Sequence, residues 1–332
     1  MNNIIIEVEH LVKKFGDLVA VDDINFHVTK GEAFGFLGPN GAGKTTTISI
    51  LCTLLKPTSG TVTLNGFDVQ RQAHQARRSL GLVFQDPSLD IRLTALQNLK
   101  FHAHIYGIPR RVCNSRIEDV LKMVQLWDRR NDDVKNFSGG MRRRLEIARG
   151  LLHYPQVLFL DEPTLGLDPQ TRFHIWDYVL ELKHRENITI FLTTHYMDEA
   201  NIADRIAIID NGKIVALDTP QALKNMVGGD IITLKTNDDQ TARGEIFTHF
   251  GIEAKQDRDG IFFETANGEE FIPKLTHSLN TNVISIGLRR PTLDDVFLKV
   301  TGHEMREENG GEAVDKKIWT MRQAGGRAGR FH

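Results

Sequence analysis

The sequence predicts an α/β fold with a largely parallel β-sheet, an antiparallel β flap near the N-terminus and a small α+β domain towards the C-terminus. Four short runs are continuously apolar, as expected of parallel strands that are buried on both faces. These runs are residues 82–84, 157–160, 188–192 and 206–209. Stretches with helical periodicity alternate with them, which favours an α/β core. Near residues 227–230 the pattern resets, and a shorter alternation of strands and helices follows.

The flap is predicted from alternating hydrophobicity. In residues 4–8 and again in 19–28, apolar side chains recur at every second position with one slip, which is typical of an antiparallel pair with one face in water. Core helices are predicted at residues 46–55, 94–105, 115–126, 140–152, 170–185 and 197–203. The third of these begins with a capping box, Ser115-x-x-Glu118.

The C-terminal domain is predicted from a second set of short elements. Its strands are predicted at residues 231–235, 261–264 and 283–288, and its helices at 239–250, 269–279 and 292–301. A capping box that begins with Thr292 opens the last helix, and apolar residues then recur at helical spacing.

Residues 38–45 fit the phosphate-binding pattern of a glycine, four free positions and then Gly-Lys-Thr. The loop lies between an apolar strand, 33–37, and the helix predicted at 46–55. Glycines let successive N–H groups point at a polyphosphate, and the helix turns its positive end towards the same anion. Lys44 adds a cation, and the Thr45 hydroxyl is placed to ligate Mg²⁺. The predicted binding residues are Gly38, Pro39, Asn40, Gly41, Ala42, Gly43, Lys44, Thr45 and Thr46.

Two carboxylates, Asp161 and Glu162, end the apolar strand at 157–160. Asp161 can hold the magnesium shell, and Glu162 can polarise an attacking water. A second anion-binding segment, Ser138-Gly139-Gly140, exposes N–H groups at the start of a predicted helix. One nucleotide site in a monomer would need only one such anion-binding segment, and this chain has two.

Together with Gln85 after one strand, His195 after another, and the segment 163–168, these motifs resemble the ATP-binding cassette subunit of ABC transporters over residues 4–225. The resemblance implies a P-loop ATP-binding cassette with an antiparallel β flap and a helical subdomain at 87–155, which binds ATP and Mg²⁺. It implies that Gln85 meets the magnesium and the lytic water. It also implies that His195 bridges the γ-phosphate and Glu162.

The resemblance implies further roles in nucleotide binding. Ser138, Gly139 and Gly140 are expected to contact the γ-phosphate bound by the opposite subunit, and Asp168 lies in the segment that the family calls the D-loop. Phe15 is similar to the aromatic residue that stacks on adenine; the alternative is a strand-end aromatic of the core. Met141 departs from the glutamine of many relatives, which leaves the backbone donors intact.

Residues 85–90, 93–99 and 290–297 resemble the daunorubicin-resistance type of exporter ATPase. That resemblance implies a head-to-tail dimer with a second copy, and a separate integral membrane permease that carries the substrate. It implies a cytoplasmic protein held at the cytoplasmic face of the cell membrane through that permease. Efflux of a drug or of another hydrophobic or polymeric substrate is expected, and lipid, polysaccharide and sodium export stay open.

Length and composition limit the alternatives. A chain of 332 residues with 40% apolar residues predicts two domains, at 1–228 and 229–302, followed by a disordered tail at 303–332. The formal charge of −2, from 41 basic and 43 acidic residues, lacks the basic excess of a dedicated nucleic-acid binder. Cys52 and Cys113 form neither a disulfide framework nor a metal cluster, which favours a reducing cytoplasm. No apolar run approaches 18 residues, and no secretory signal is expected.

Two other functions compete with this one. A soluble ABC-class ATPase that acts on nucleic acid or ribosomes usually needs two cassettes or a long coiled coil, whereas this sequence has one cassette and no heptad run. Alternatively, residues 230–302 form a ligand-sensing or dimerising module that uses the ATPase as a switch.

Overall fold

The computed structural model describes residues 3–85, 88–257 and 260–303. These residues form two compact units with a boundary between Leu217 and Asp218. This boundary precedes the predicted one at 228, because the helix Pro220–Asn225 packs against the last helix of the second unit. The predicted disordered tail lies outside the described residues from position 304 onward. Among the described residues, no helix combines the length and the apolar character needed to cross a membrane.

The first unit contains ten strands and seven α-helices among the described residues. In chain order they are β1 (Ile4–Phe15), β2 (Leu18–Thr29), β3 (Ala33–Leu37), α1 (Lys44–Leu51), β4 (Ser59–Leu64), β5 (Phe67–Asp68), α2 (Ala73–Arg78), β6 (Leu80–Val83), α3 (Ala95–Ile105), α4 (Arg110–Met123), α5 (Gly139–Leu151), β7 (Val157–Asp161), α6 (Pro169–Glu186), β8 (Thr189–Thr194), α7 (Met197–Ala200), β9 (Arg205–Asp210) and β10 (Lys213–Asp218). Two short 3₁₀ turns, Trp127–Arg129 and Val134–Asn136, lead from α4 to α5.

A six-stranded sheet forms the centre of the first unit, in the order β10-β9-β3-β8-β7-β6. Strand β3 pairs in parallel with β8 on one side and β9 on the other, and β7 pairs in parallel with β6 and β8. Every residue of β7 and β8 is buried, and so are residues 206–209 of β9, which confirms three of the four apolar runs. The fourth run is only partly buried, because β6 ends at Val83 and Phe84 is 39% exposed. Because these strands are parallel, their carboxyl ends lie at the same edge of the sheet, and the loops that follow them meet there.

The predicted antiparallel flap is present as a second sheet, in the order β2-β1-β4-β5. A cluster of phenylalanines joins the two sheets in one core, with Phe26 of β2 stacked on Phe34 of β3 at 5.4 Å between ring centroids. Strands β4 and β5 were not predicted, because β4 has only two large apolar residues, Val62 and Leu64, and β5 is two residues long.

Most helices begin and end within two residues of the predicted positions, with three exceptions. Helix α4 begins at Arg110, after Pro109, and the Ser115 hydroxyl donates within the helix to Val112 O at 3.0 Å. The predicted capping box at Ser115 is therefore wrong, because the helix already starts one and a half turns earlier. Helix α1 ends at Leu51, since Thr53 adopts a left-handed turn with φ of 62°. Helix α7 is one short turn that ends at Ala200.

The second unit is an α+β domain, as predicted. Its elements are α8 (Pro220–Asn225), β11 (Asp230–Thr236), α9 (Asp239–Phe250), β12 (Lys255–Asp257), β13 (Gly260–Thr265), α10 (Gly268–Ser278), β14 (Val283–Arg289) and α11 (Leu293–Thr301). From β11 to β14 the chain follows the βαββαβ order of ferredoxin-like domains, with an antiparallel sheet ordered β12-β13-β11-β14. The capping box at Thr292 is confirmed, with Asp295 as its acidic partner.

Candidate active site

The predicted phosphate loop connects β3 to α1, and its backbone requires glycine at two positions. Gly43 has φ of 107°, and a Cβ there would lie 2.5 Å from Ala20 O. A Cβ at Gly38 would lie 2.3 Å from Ile209 O. Helix α1 starts directly after Gly43 without a side-chain cap, so its first N–H groups are available to an anion. This combination of a close-packed glycine loop and an uncapped helix start fits a polyphosphate.

Lys44 extends from the first turn of α1 into the site, and only 4% of its surface is exposed. Its ammonium donates to Gly38 O at 2.8 Å and to Pro39 O at 3.1 Å. The same Nζ lies 3.2 Å from Glu162 Oε1. The loop thus places one buried cation next to the carboxylate that was predicted to act on water.

Asp161 is the last residue of β7, and its carboxylate is held by the neighbouring strand. Asp161 Oδ1 accepts a hydrogen bond from Thr193 Oγ1 at 2.6 Å. Burial raises the pKa of Asp161 above its ordinary value, and the nearby Glu162 raises it further. A buried carboxylate whose charge is disfavoured in this way is one that a divalent cation would stabilise. The Asp161 carboxylate oxygens are therefore suitable ligands for Mg²⁺.

Glu162 follows Asp161 and is the charge centre of the site. Burial opposes its ionisation, but the neighbouring His195 imidazole and the positive charge of Lys44 outweigh that effect and lower the pKa of Glu162. Its backbone is left-handed, with φ of 44°, which is unusual for a residue with a Cβ. Glu162 N donates to Thr193 O at 3.1 Å and to Thr193 Oγ1 at 3.2 Å. The carboxylate is thus held ionised on a tightly anchored turn.

His195 follows β8, and its Nδ1 lies 3.2 Å from Glu162 Oε2. The structure therefore brings His195, Glu162 and Lys44 together. Glu199, in α7, is buried and accepts hydrogen bonds from the hydroxyls of Thr164 and Thr194, the second at 2.7 Å. Glu199 thereby connects the segment after Glu162 with the end of β8. Thr193, Thr194 and Glu199 were not predicted as site residues, although two threonines at the end of an apolar strand are a usable signal.

Phe15 and Gln85 lie at exposed edges of the first unit. Phe15 is half-buried at the tip of the β1–β2 hairpin, where it pairs with Leu18, and Lys13 Nζ lies 4.8 Å from its ring centroid. The ring therefore lies at a hairpin tip, only partly buried, and not in the core. Gln85 is exposed just after β6, and the two residues that follow it lie outside the described residues.

The segment Ser138-Gly139-Gly140 forms the start of α5, and its neighbour in space is the start of α6. Ser138 Oγ caps α5 by accepting from Met141 N at 3.2 Å. Asp168 caps α6 by accepting from Thr171 N at 3.0 Å and from Thr171 Oγ1 at 2.6 Å, and these bonds lower the pKa of Asp168. A Cβ at Gly140 would lie 2.4 Å from Thr171 Cγ2. Thr171 thus links the two predicted segments, which form a second group of site residues.

Comparisons with known proteins agree with the resemblance to ATP-binding subunits of ABC transporters. The family described as "ABC transporter" matches residues 21–165. The chain is 38% identical to the daunorubicin resistance ATP-binding protein DrrA3 of Streptomyces coeruleorubidus, over 91% of this chain and 97% of that protein. It is 35% identical to the linearmycin resistance ATP-binding protein LnrL of Bacillus subtilis (strain 168), over 91% of this chain and 100% of that protein. It is 37% identical to the Nod factor export ATP-binding protein I of Ralstonia nicotianae, over 91% and 95% of the two chains.

Solved structures show the same likeness. The ATP-binding cassette MJ0796, in a dimeric post-hydrolysis state bound to ADP and Pi, superposes with a TM-score of 0.58 at 27% identity. It covers 64% of this chain and 98% of its own. The cbiO1 protein of Clostridium perfringens superposes with a TM-score of 0.64 at 26% identity, over 75% of this chain and 97% of its own. The chain therefore belongs to the ABC transporter family, as one of its ATP-binding subunits.

Proposed function

We propose that this protein hydrolyses ATP to ADP and phosphate and that hydrolysis drives an exporter. The observation that carries the proposal is the position of Glu162, whose two carboxylate oxygens lie 3.2 Å from Lys44 Nζ and 3.2 Å from His195 Nδ1. One partner is a cation placed for phosphate, and the other is an imidazole that can hydrogen-bond to a phosphate oxygen. A water between Glu162 and the terminal phosphate would meet all three groups.

In the proposed reaction, Glu162 accepts a proton from water as the water oxygen bonds to the γ-phosphorus. The bond between that phosphorus and the bridging oxygen of ADP breaks, and ADP takes the electron pair. The N–H groups of the phosphate loop and the ammonium of Lys44 stabilise the phosphate charge. Thr45 and Asp161, with Gln85 through water, would hold Mg²⁺, which supplies further charge neutralisation. His195 orients Glu162 and the γ-phosphate.

We also infer that two copies close head to tail around ATP. Support comes from Ser138, Gly139 and Asp168, which are exposed at the starts of two helices and form a group of their own. In such a dimer Ser138, Gly139 and Gly140 contact the γ-phosphate held by the phosphate loop of the partner copy, and Asp168 lies beside them at the start of α6. Phe15 stacks on adenine within its own copy. The dimeric state of the MJ0796 cassette, which is bound to ADP and Pi, supports the proposal of a dimer.

The transport step is assigned to a separate membrane permease. Relatives whose names refer to daunorubicin resistance, linearmycin resistance and Nod factor export support efflux of a drug or of another hydrophobic or polymeric substrate. In this proposal the protein is cytoplasmic and lies at the cytoplasmic face of the cell membrane through the permease. The second unit, with its ferredoxin-like order of elements, is proposed to stabilise the dimer or to regulate the ATPase.

The test is the Glu162→Gln variant. It removes the proton acceptor but keeps the shape of the side chain, so ATP hydrolysis should fall by about 10²-fold or more while binding of a fluorescent ATP analogue persists. The matched control is Glu181→Gln, since the side chain of Glu181 on α6 is 68% exposed. Phosphate release by both variants is measured against the wild type. A Glu162→Gln variant with the wild-type rate would refute the assignment.

A further inference from the structure

Arg143 is a buried cation that the proposed reaction has not yet used. It lies in α5, between Arg142 and Arg144, and only 7% of its surface is exposed. Its guanidinium donates to four backbone carbonyls and one carboxylate. The carbonyl acceptors are Phe84 O at 2.5 Å, Asp161 O and Glu162 O at 3.3 Å each, and Pro163 O. All three nitrogens of the guanidinium therefore have acceptors on segments that are distant in sequence.

Glu146, one turn further along α5, completes the arrangement. It is 2% exposed, and its Oε2 accepts from Arg143 Nη1 at 2.8 Å. Its Oε1 accepts from Ser88 N at 2.8 Å. The pair therefore holds the chain on both sides of Gln85, since Phe84 precedes that residue and Ser88 follows it.

The other acceptors of Arg143 belong to the turn that carries Glu162. This turn includes the left-handed backbone of Glu162, a conformation that costs free energy and persists only where the surroundings hold it. Thr193 holds the Glu162 N–H, and Arg143 holds the carbonyls before, at and after Glu162. The direction of the Glu162 carboxylate therefore depends on α5.

We propose that Arg143, supported by Glu146, is a positioning residue for ATP hydrolysis: it fixes Glu162 and the segment around Gln85 relative to each other. This inference rests on the function proposed above. Because these partners of Arg143 lie outside the phosphate loop, its loss should affect kcat much more than nucleotide binding. A displacement of about 1 Å at a reacting group can cost 10²-fold in rate. We expect Arg143→Gln to lower kcat by about 10–100-fold and to change the KM for ATP by less than about twofold.

The matched control is Arg144→Gln. Arg144 is the next residue of the same helix, and its Nη1 donates at 3.2 Å to Val124 O, which lies far from Glu162 in the chain. This variant should keep kcat within about twofold of the wild type. Arg143→Lys keeps the charge but cannot reach the same set of carbonyls with one ammonium, so it should recover only part of the rate.

The decisive measurement combines Arg143→Gln with Glu162→Gln. If Arg143 acts through Glu162, the double variant hydrolyses ATP no more slowly than Glu162→Gln alone, in single-turnover assays with radiolabelled ATP. A further drop equal to that of the single Arg143 variant would overturn the proposal, as would a wild-type kcat for Arg143→Gln. If Glu162→Gln itself has the wild-type rate, the proposed function fails first, so the two failures are distinguishable.

If Arg143→Gln does not fold, Glu146→Gln is used instead. This change keeps the size of the side chain and weakens the hydrogen bonds to Arg143 and to Ser88 N. It should lower kcat by about threefold to tenfold, again without a further effect in the Glu162→Gln background. A wild-type kcat for Glu146→Gln, with Arg143→Lys equally active, would overturn the proposal in that case.

Discussion

Replacing Lys44 by Met should destabilise the nucleotide-free protein, because it breaks a buried ion pair while keeping most of the apolar stem. The side chains of Lys44 and Glu162 are 4% and 7% exposed, with 3.2 Å between Nζ and Oε1. Breaking a buried pair costs about 3–5 kcal/mol, since the remaining charge is left uncompensated. Glu162 keeps His195 at 3.2 Å, so we expect a loss near the lower end, about 3 kcal/mol. For a unit of this size, that corresponds to a melting temperature lower by about 6–12 °C.

The double variant Lys44→Met/Glu162→Gln tests the cause. Gln needs no counter-charge, so the double variant should regain most of the lost stability in calorimetry without nucleotide. The effect also depends on pH. The pKa of Glu162 is lowered in the folded wild type, so its stabilising contribution is present above the ordinary value of 4.5 and is lost as the pH falls through the lowered pKa. The difference between wild type and Lys44→Met should therefore shrink in acid. Equal melting temperatures of these two proteins at pH 7 would refute the reasoning.

Three further predictions concern other parts of the chain. Ser138→Arg should keep nucleotide binding but lower ATP turnover by about 10²-fold, because a bulky cation blocks closure of the shared site; Ser115→Arg, on an exposed helix face, is the control, and equal rates would contradict the dimer. Burial and the charge of Arg149 lower the pKa of His102 from 6.5 to about 4, so between these values only the unfolded chain takes up the proton. Stability should thus fall as the pH drops from 6.5 to 4, and His102→Asn should flatten that dependence in thermal melts. A chain that ends at Leu217 should still bind ATP but sediment with weaker dimerisation and show altered turnover, and unchanged association would remove the proposed role of the second unit.

Features that depend on neighbouring residues were predictable from the sequence. The phosphate loop, the two carboxylates after β7 and the cap at Thr292 each follow from a local pattern, and the structure contains all three. The failure at Ser115 has the same origin. The spacing of a capping box is present there, but the helix begins five residues earlier, directly after Pro109. Ser115 therefore lies inside the helix and does not cap it.

Features that depend on distant contacts were not predictable. Arg142, Arg143 and Arg144 are identical in type, and only the packing of α5 decides that the middle one reaches Pro163 and Phe84. Glu199 likewise lies in a short helix, and its two threonine donors come from separate places, Thr164 in the turn after β7 and Thr194 at the end of β8. A single sequence gives no measure of such pairings, because each depends on how the sheet places chain segments 5 to 59 residues apart.

Helix α5 carries both Ser138, at its start, and Arg143, little more than one turn later. The two residues are about 7.5 Å apart along the helix axis, at 1.5 Å per residue, and the bond from Arg142 N to Ser138 O at 2.9 Å closes the turn between them. The two residues therefore belong to one continuous hydrogen-bonded segment of helix. In the proposed dimer, Ser138 at the start of α5 contacts the nucleotide of the neighbour, and Arg143 holds the backbone of Glu162 in its own copy. In that dimer, α5 would connect the nucleotide of the neighbouring copy with the carboxylate proposed to act on water in its own copy, so hydrolysis at the two sites would be coupled through one helix.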